Sequence, residues 1–160
     1  MAIKVGDTLP MELKLKEMKD GAPRDVTVGD LVKGKRVVLF AVPGAFTPTC
    51  SLKHLPGFVE KAGDLKKKGV QEIVCVSVND AFVMGAWGKD QGAGGKVRMV
   101  ADGNGEFTKA VGLELDASGF GMGERSKRYA MIVNDGKVEE VLVDESGLKE
   151  SSAESVLAKL

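Results

Sequence analysis

Cysteine occurs only twice and histidine once in the 160 residues, as Cys50, Cys75 and His54. That is too few for the paired-cysteine framework of a small secreted domain, and too few for the four nitrogen and sulfur ligands of a structural zinc site. Long hydrophobic runs are missing too. The longest, Val37–Val42, has six residues, against the roughly 20 that a membrane-spanning helix needs. Nor is there an excess of one charge: 23 Lys and Arg balance 23 Asp and Glu, so no extended field gathers phosphates, and nucleic acid and anionic membrane are not expected as partners. Met1 to Asp7 carry neither a signal-peptide core nor an Arg/Ser-rich amphipathic leader. The reading is a cytoplasmic protein, or an organellar one whose transit peptide has been removed. The 21 glycines have no fixed period, which excludes collagen and repeat arrays.

What is present reads as one α/β domain over residues 1–160, since no shift of composition marks a linker. Met11 to Leu15 and Arg24 to Val28 alternate around the turn residues Asp20-Gly21-Ala22-Pro23, predicting an N-terminal β-hairpin. The continuous run Val37 to Val42 predicts a strand covered on both faces, ended by Pro43-Gly44. Thr47-Pro48-Thr49-Cys50 then reads as the cap and first turn of a helix extending to about Lys68. Further strands are predicted at Gln71 to Val78 and Val97 to Ala101, with helices around Phe82 to Trp87 and Glu106 to Val111. A Gly-rich loop follows. Asn134-Asp135-Gly136 joins Arg128 to Val133 and Lys137 to Val143 as a hairpin, and Ser152 to Leu160 closes the chain as a helix. A β-α-β centre with a terminal hairpin and helix predicts a mixed sheet flanked by helices, of thioredoxin-like architecture.

Reactive groups in open α/β sheets gather outside the carboxyl ends of parallel strands, where helix N-termini point free N–H groups. Cys50 falls at such a point, and the helix end and backbone N–H groups both favour its thiolate. As cap, the Thr47 hydroxyl can accept the Cys50 N–H, or donate to the sulfur or to a substrate oxygen. Pro43 ends the preceding strand and can shield one side from water. His54, four residues after Cys50, invites a Cys–His dyad, but no orienting third group or acyl-binding oxyanion site accompanies it. Gly92-Ala93-Gly94-Gly95-Lys96 lacks a following Ser or Thr and follows a helix, so it is not a phosphate loop. Thr47 stands where a thioredoxin-type disulfide exchanger would need its first cysteine, which removes that reading.

The string Pro43-Gly44-Ala45-Phe46-Thr47-Pro48-Thr49-Cys50 resembles the Pro-x-x-x-Thr-x-x-Cys motif of peroxiredoxins. His54-Leu55-Pro56-Gly57-Phe58, Ser77 to Val83, Trp87, Lys96-Val97-Arg98, Ala101-Asp102 and Lys127-Arg128-Tyr129 resemble the type II, peroxiredoxin-5-like branch, over roughly Lys4 to Leu160. The resemblance implies a thiol peroxidase that reduces hydrogen peroxide and alkyl hydroperoxides without metal or organic cofactor. Cys50 would be the attacking thiolate, assisted by Thr47, Arg128 and Pro43, with Gly44, Phe46 and Thr49 lining the peroxide site and His54 and Phe120 supporting it from behind. A homodimer packed near the site, with Phe46 and Phe120 as contacts, is implied as well. Cys75 is the one candidate to resolve the Cys50 sulfenic acid. It lies about three residues inside its expected strand, on the order of 10 Å from the tip, whereas a disulfide needs Cα atoms within about 7 Å. Animal members carry a resolving cysteine near the carboxyl terminus, but Gly147-Leu148-Lys149-Glu150-Ser151 holds none here. The cysteine pattern resembles plant-type members, implying recycling by glutaredoxin with glutathione, or by thioredoxin. The alternative is a redox-sensing module in which Cys50 oxidation changes partners without efficient turnover.

Overall fold

The computed structural model describes residues 2–160. It opens on an antiparallel hairpin, β1 (Lys14–Lys19) and β2 (Ala22–Thr27), turned at Asp20 and Gly21 with φ of 51° and 82°. Two positive φ values match the strand twist, which is why Asp-Gly suits the turn. The alternation at Met11 to Leu15 predicts an earlier first strand; it forms later because an inward position of β1 is taken by Glu17, which hides the apolar alternation. Glu17 accepts from Arg98 Nη2 at 2.7 Å and Arg24 Nη2 at 2.6 Å. The Arg98 hydrogen bond, with Arg24 behind it, holds the buried carboxyl below its usual range despite desolvation. Val28 does not extend β2 but opens α1 (Val28–Val32), where Thr27 and Asp30 cap one another reciprocally at 3.0 Å each way.

Next come β3 (Arg36–Val42), a π-helical turn at Cys50–His54 that runs into α2 (Leu55–Lys67), β4 (Glu72–Ser77), α3 (Ala81–Asp90), β5 (Arg98–Ala101) and α4 (Glu106–Ala110). The predicted Gly-rich loop contains a small two-stranded sheet, β6 (Glu114–Asp116) with β7 (Glu124–Ser126), and a 3-10 turn at Ser118–Phe120. Then β8 (Arg128–Asn134) and β9 (Lys137–Asp144) form the Asp-Gly hairpin, and α5 (Ala153–Lys159) starts at the Ser152 cap.

The seven-stranded sheet has the order β2-β1-β5-β4-β3-β8-β9, with β3, β4 and β5 parallel. Side chains alternate across it. Val38, Phe40, Val42 and Cys75 pack with Phe58, Met84, Trp87 and Val156 of α2, α3 and α5 on one face. Val37, Leu39, Ala41, Val74 and Val76 pack with Leu31 and Phe107 of α1 and α4 on the other. Two apolar layers explain why β3 reads as an unbroken hydrophobic run. Among the described residues no helix is long and apolar enough to cross a membrane.

Candidate active site

The chain leaves β3 at Val42 and must turn sharply to enter the Cys50 helix. Phe46 takes a left-handed φ of 63°, a conformation that costs a bulky residue on the order of 1–3 kcal/mol and persists only when its surroundings impose it. Here they do. The Ala45 N–H donates to Asn79 Oδ1 at 3.0 Å, and the Ser77 hydroxyl lies 2.6 Å from the same oxygen and 3.1 Å from the Val42 carbonyl. Trp87 Nε1 donates to the Ser51 hydroxyl at 3.0 Å, fixing the helix start from α3. Gly44 is tightly surrounded: a Cβ would lie 3.0 Å from Thr47 Cγ2, 3.1 Å from Met122 Cε and 3.3 Å from Arg125 Nη1, so these neighbours would have to yield by a few tenths of an ångström.

The helix widens at once. Leu55 N–H bonds back to the Cys50 carbonyl, a π-type step. Pro56 has no N–H to give to Leu52, and its ring crowds that carbonyl, so a regular α-turn is unavailable there. The turn carries two inward side chains, Cys50 and His54, both buried.

Arg128 reaches this site through sheet register. Antiparallel pairing sets Tyr129 against Ala41, so Arg128, one residue earlier, stands beside the carboxyl end of β3, where the Cys50 helix begins. Its Nη2 donates to Cys50 Sγ at 3.2 Å and its Nη1 to His54 Nδ1 at 2.9 Å. On the far side of the ring, His54 Nε2 donates to the Ser151 carbonyl at 2.9 Å. The tautomer follows from the partners: a carbonyl only accepts and a guanidinium only donates, so the proton sits on Nε2. The sulfur thus faces a guanidinium at hydrogen-bond distance, with both residues at most 8% exposed.

His54 does not form a dyad with Cys50, because its free lone pair is occupied by Arg128. Burial, and then the Arg128 charge, push its pKa from 6.5 to about 3, so the ring is neutral at working pH and cannot serve as a proton-holding base there. The unfolded chain takes up a proton near 6.5 and the folded chain only near 3. Stability from this group is therefore complete above pH 6.5 and is lost as the pH falls through that window. Urea unfolding at pH 6.5 and 4.5 is expected to show a loss on the order of 1 kcal/mol per pH unit. His54→Phe keeps the aromatic packing on Phe40 and Phe58 and should flatten that slope; an unchanged slope would assign the acid sensitivity elsewhere.

Other site residues sit as follows. Pro43, Thr47 and Thr49 are half-buried beside the buried Cys50, and Phe46 is exposed with its ring tilted 6.4 Å from Trp87. The Thr47 hydroxyl neither caps Cys50 nor donates to the sulfur; it donates to the Gly44 carbonyl at 2.7 Å, because the tight turn brings that carbonyl beneath it. Phe120 stands 86% exposed on its 3-10 turn. Cys75 lies in β4 opposite Phe40, fully buried in the same core layer as Cys50. Burial, and behind it the Cys50 sulfur, push its thiol well above the usual range, with Arg128 acting weakly the other way. Both cysteines are free. Ser77, Asn79 and Ser51 brace the site without having been singled out for that role, and the Ser151 acceptor is backbone, which no residue type announces.

The Redoxin family profile matches residues 4–157. A peroxiredoxin-2E, chloroplastic, of Arabidopsis thaliana is 52% identical over 99% of this chain and 70% of its own length. A peroxiredoxin-2B of the same plant is 49% identical over 99% of this chain and 98% of its own. Among solved structures, reduced Prx3 of Vibrio vulnificus in complex with H2O2 superposes with a TM-score of 0.93 at 51% identity, covering 98% of both chains. The expected thioredoxin-like architecture thus agrees with these neighbours.

Proposed function

Because the chain belongs to the redoxin family as a type II peroxiredoxin, and so is a thiol peroxidase acting on peroxides with thiol reductants, we propose that Cys50 is its peroxide-attacking group and that Arg128, Thr47 and Pro43 complete the site. The contact of Arg128 Nη2 with Cys50 Sγ at 3.2 Å carries this assignment. The thiolate attacks one peroxide oxygen in line; an S–O bond forms and the O–O bond breaks. Sulfur is oxidised to the sulfenic acid, and the departing oxygen leaves as hydroxide or alkoxide and takes a proton to become water or alcohol. Negative charge moves from sulfur to that oxygen, so a fixed guanidinium beside both stabilises the transition state more than the free peroxide. With its proton committed to the Gly44 carbonyl, Thr47 turns lone pairs towards the peroxide and can accept its O–H. Hydrogen peroxide as substrate accords with the Vibrio vulnificus complex; Gly44, Phe46 and Thr49 would line the larger space for an alkyl group.

The sulfenic acid then condenses with an external thiol, releasing water and leaving a mixed disulfide that a second thiol reduces. We assign that role to glutathione with glutaredoxin in preference to an internal disulfide, because Cys75 is held in the middle of β4 opposite Phe40, with a thiol that desolvation pushes well above the usual range. Turnover with glutathione plus glutaredoxin beside thioredoxin tests this: activity with the first is expected, and activity with neither would overturn it. Cys75→Ser should keep most glutaredoxin-dependent activity while costing roughly 1–3 kcal/mol of stability for burying a hydroxyl. A quantitative internal disulfide, seen by intact mass after one equivalent of peroxide and alkylation, would overturn the assignment. Exposed Phe46 and Phe120 (53% and 86%) are proposed to be covered in a homodimer. A thiol-reducing compartment is required; the cytoplasm satisfies this, as does the interior of an organelle such as the one named for the chloroplastic relatives.

A further inference from the structure

Arg128 on β8 and Asp144 on β9 are cross-strand partners in register, and both are buried, at 8% and 6% exposure. Opposite charges so placed ordinarily pair. They do not pair here. The Asp144 carboxylate is instead filled by the N–H groups of Lys149 (3.1 Å), Glu150 (2.8 Å) and Ser151 (2.9 Å) and by the Ser151 hydroxyl (2.7 Å). Burial alone would raise this carboxyl, but the hydrogen bonds from Glu150 and Ser151 outweigh it and hold it below its usual range.

Those bonds fold the segment after β9 into a turn whose Ser151 carbonyl accepts from His54 Nε2 at 2.9 Å. That contact fixes the tautomer and presents Nδ1 as the acceptor for Arg128 Nη1 at 2.9 Å. With Nη1 held there, Nη2 faces Cys50 Sγ at 3.2 Å. The alternative tautomer would set N–H against N–H. A long arginine side chain carries about 2 kcal/mol of rotamer entropy, and an unfilled carboxylate directly across the strand pair would compete for it.

We propose that Asp144, Ser151 and His54 form a positioning chain whose purpose is to keep Arg128 on the sulfur and off Asp144. The chain rests on the reading of Arg128 as the donor at the reacting atoms, and its members act only through that guanidinium. Asp144 and the Ser151 carbonyl are thereby given a part in peroxide reduction although neither touches Cys50. Their removal should slow attack by peroxide without changing recycling by the thiol donor.

A double-mutant comparison isolates this, because residues that act through one group lose their effect when the group is gone. The readout is the rapid-mixing rate of Cys50 oxidation by hydrogen peroxide. In the otherwise natural protein, His54→Phe and Asp144→Ala are each expected to slow it by about tenfold. In an Arg128→Ala background the same changes should cost less than about twofold. His54→Gln can still donate to the Ser151 carbonyl and accept from Arg128, and should stay within about threefold of the natural rate. If Asp144→Ala does not fold, the His54 pair decides alone. Equal losses in both backgrounds, or His54→Gln as slow as His54→Phe, would overturn the positioning chain while leaving Arg128 in place. An Arg128→Ala rate like the natural one would instead overturn the site assignment, and the chain with it.

Discussion

Replacing Cys50 by serine is expected to abolish peroxide turnover, lowering it at least roughly a thousandfold. A hydroxyl at that position is not ionised near neutral pH and is a poor nucleophile towards an O–O bond, whatever donors surround it. The remaining sulfur cannot take over. Cys75 sits mid-sheet opposite Phe40, fully buried, with its thiol pushed well above the usual range by desolvation. The substitution keeps shape and can still accept from Arg128, so the native circular dichroism spectrum should persist. Steady-state peroxide consumption with glutathione and glutaredoxin is the check. Turnover at even a few per cent of the natural rate would place the chemistry elsewhere.

The second large effect is expected from the donor facing the sulfur. Arg128→Ala should slow peroxide attack by roughly a hundredfold or more, as the loss of one charge-stabilising donor does in other enzymes. Its guanidinium lies at 3.2 Å from the sulfur, and the two residues are themselves at most 8% exposed. Thr47→Val, which keeps the shape at position 47 and removes the acceptor that orients the peroxide O–H, should slow the same step by roughly a hundredfold through lost positioning. Recycling by the thiol donor involves neither group at the O–O bond, so the defect belongs in the peroxide-dependent phase of the kinetics. Rapid-mixing rates within about twofold of the natural protein would remove these roles.

Much of this was legible in the sequence because the relevant signals are local. The unbroken Val37–Val42 run, the Pro43-Gly44 stop and the Thr47-Pro48 helix start locate Cys50 at a strand-to-helix corner without knowledge of any partner. Asp135-Gly136 likewise fixed its own hairpin, with φ of 50° and 82°. Signals failed where a tertiary interaction replaced the local one. Glu17 disguises β1 because its inward charge is matched by Arg24 and Arg98 from elsewhere. The alternation predicts strand as far as Val28, whereas Val28 opens α1, whose start Thr27 and Asp30 cap reciprocally.

The site divides in the same way. Thr47 and Cys50 are close in sequence, so their proximity follows from the turn. Arg128 is brought in by the β3–β8 register; with no local motif around it, only the resemblance to peroxiredoxins singled it out. For His54 the spacing places the ring, and the dyad it invites is already declined for want of an orienting third group. It shares the inward side of the helix with Cys50 as a four-residue interval requires, yet its ring serves Arg128 instead of the sulfur. The Thr47 hydroxyl was given three partners by its position, and the tight turn supplied a fourth, the Gly44 carbonyl. Backbone acceptors of this kind become visible only when the chain has folded.

The most direct measurement is the fate of each sulfur in the first turnover. The reduced protein is mixed with one equivalent of hydrogen peroxide in the presence of a sulfenic-acid trap, quenched at successive times, and mapped by peptide mass. The trap should appear on the Cys50 peptide at the rate at which peroxide disappears, with Cys75 still a free thiol. Label arriving first on Cys75, or peroxide consumed while Cys50 remains a thiol, would contradict Cys50 as the reacting sulfur.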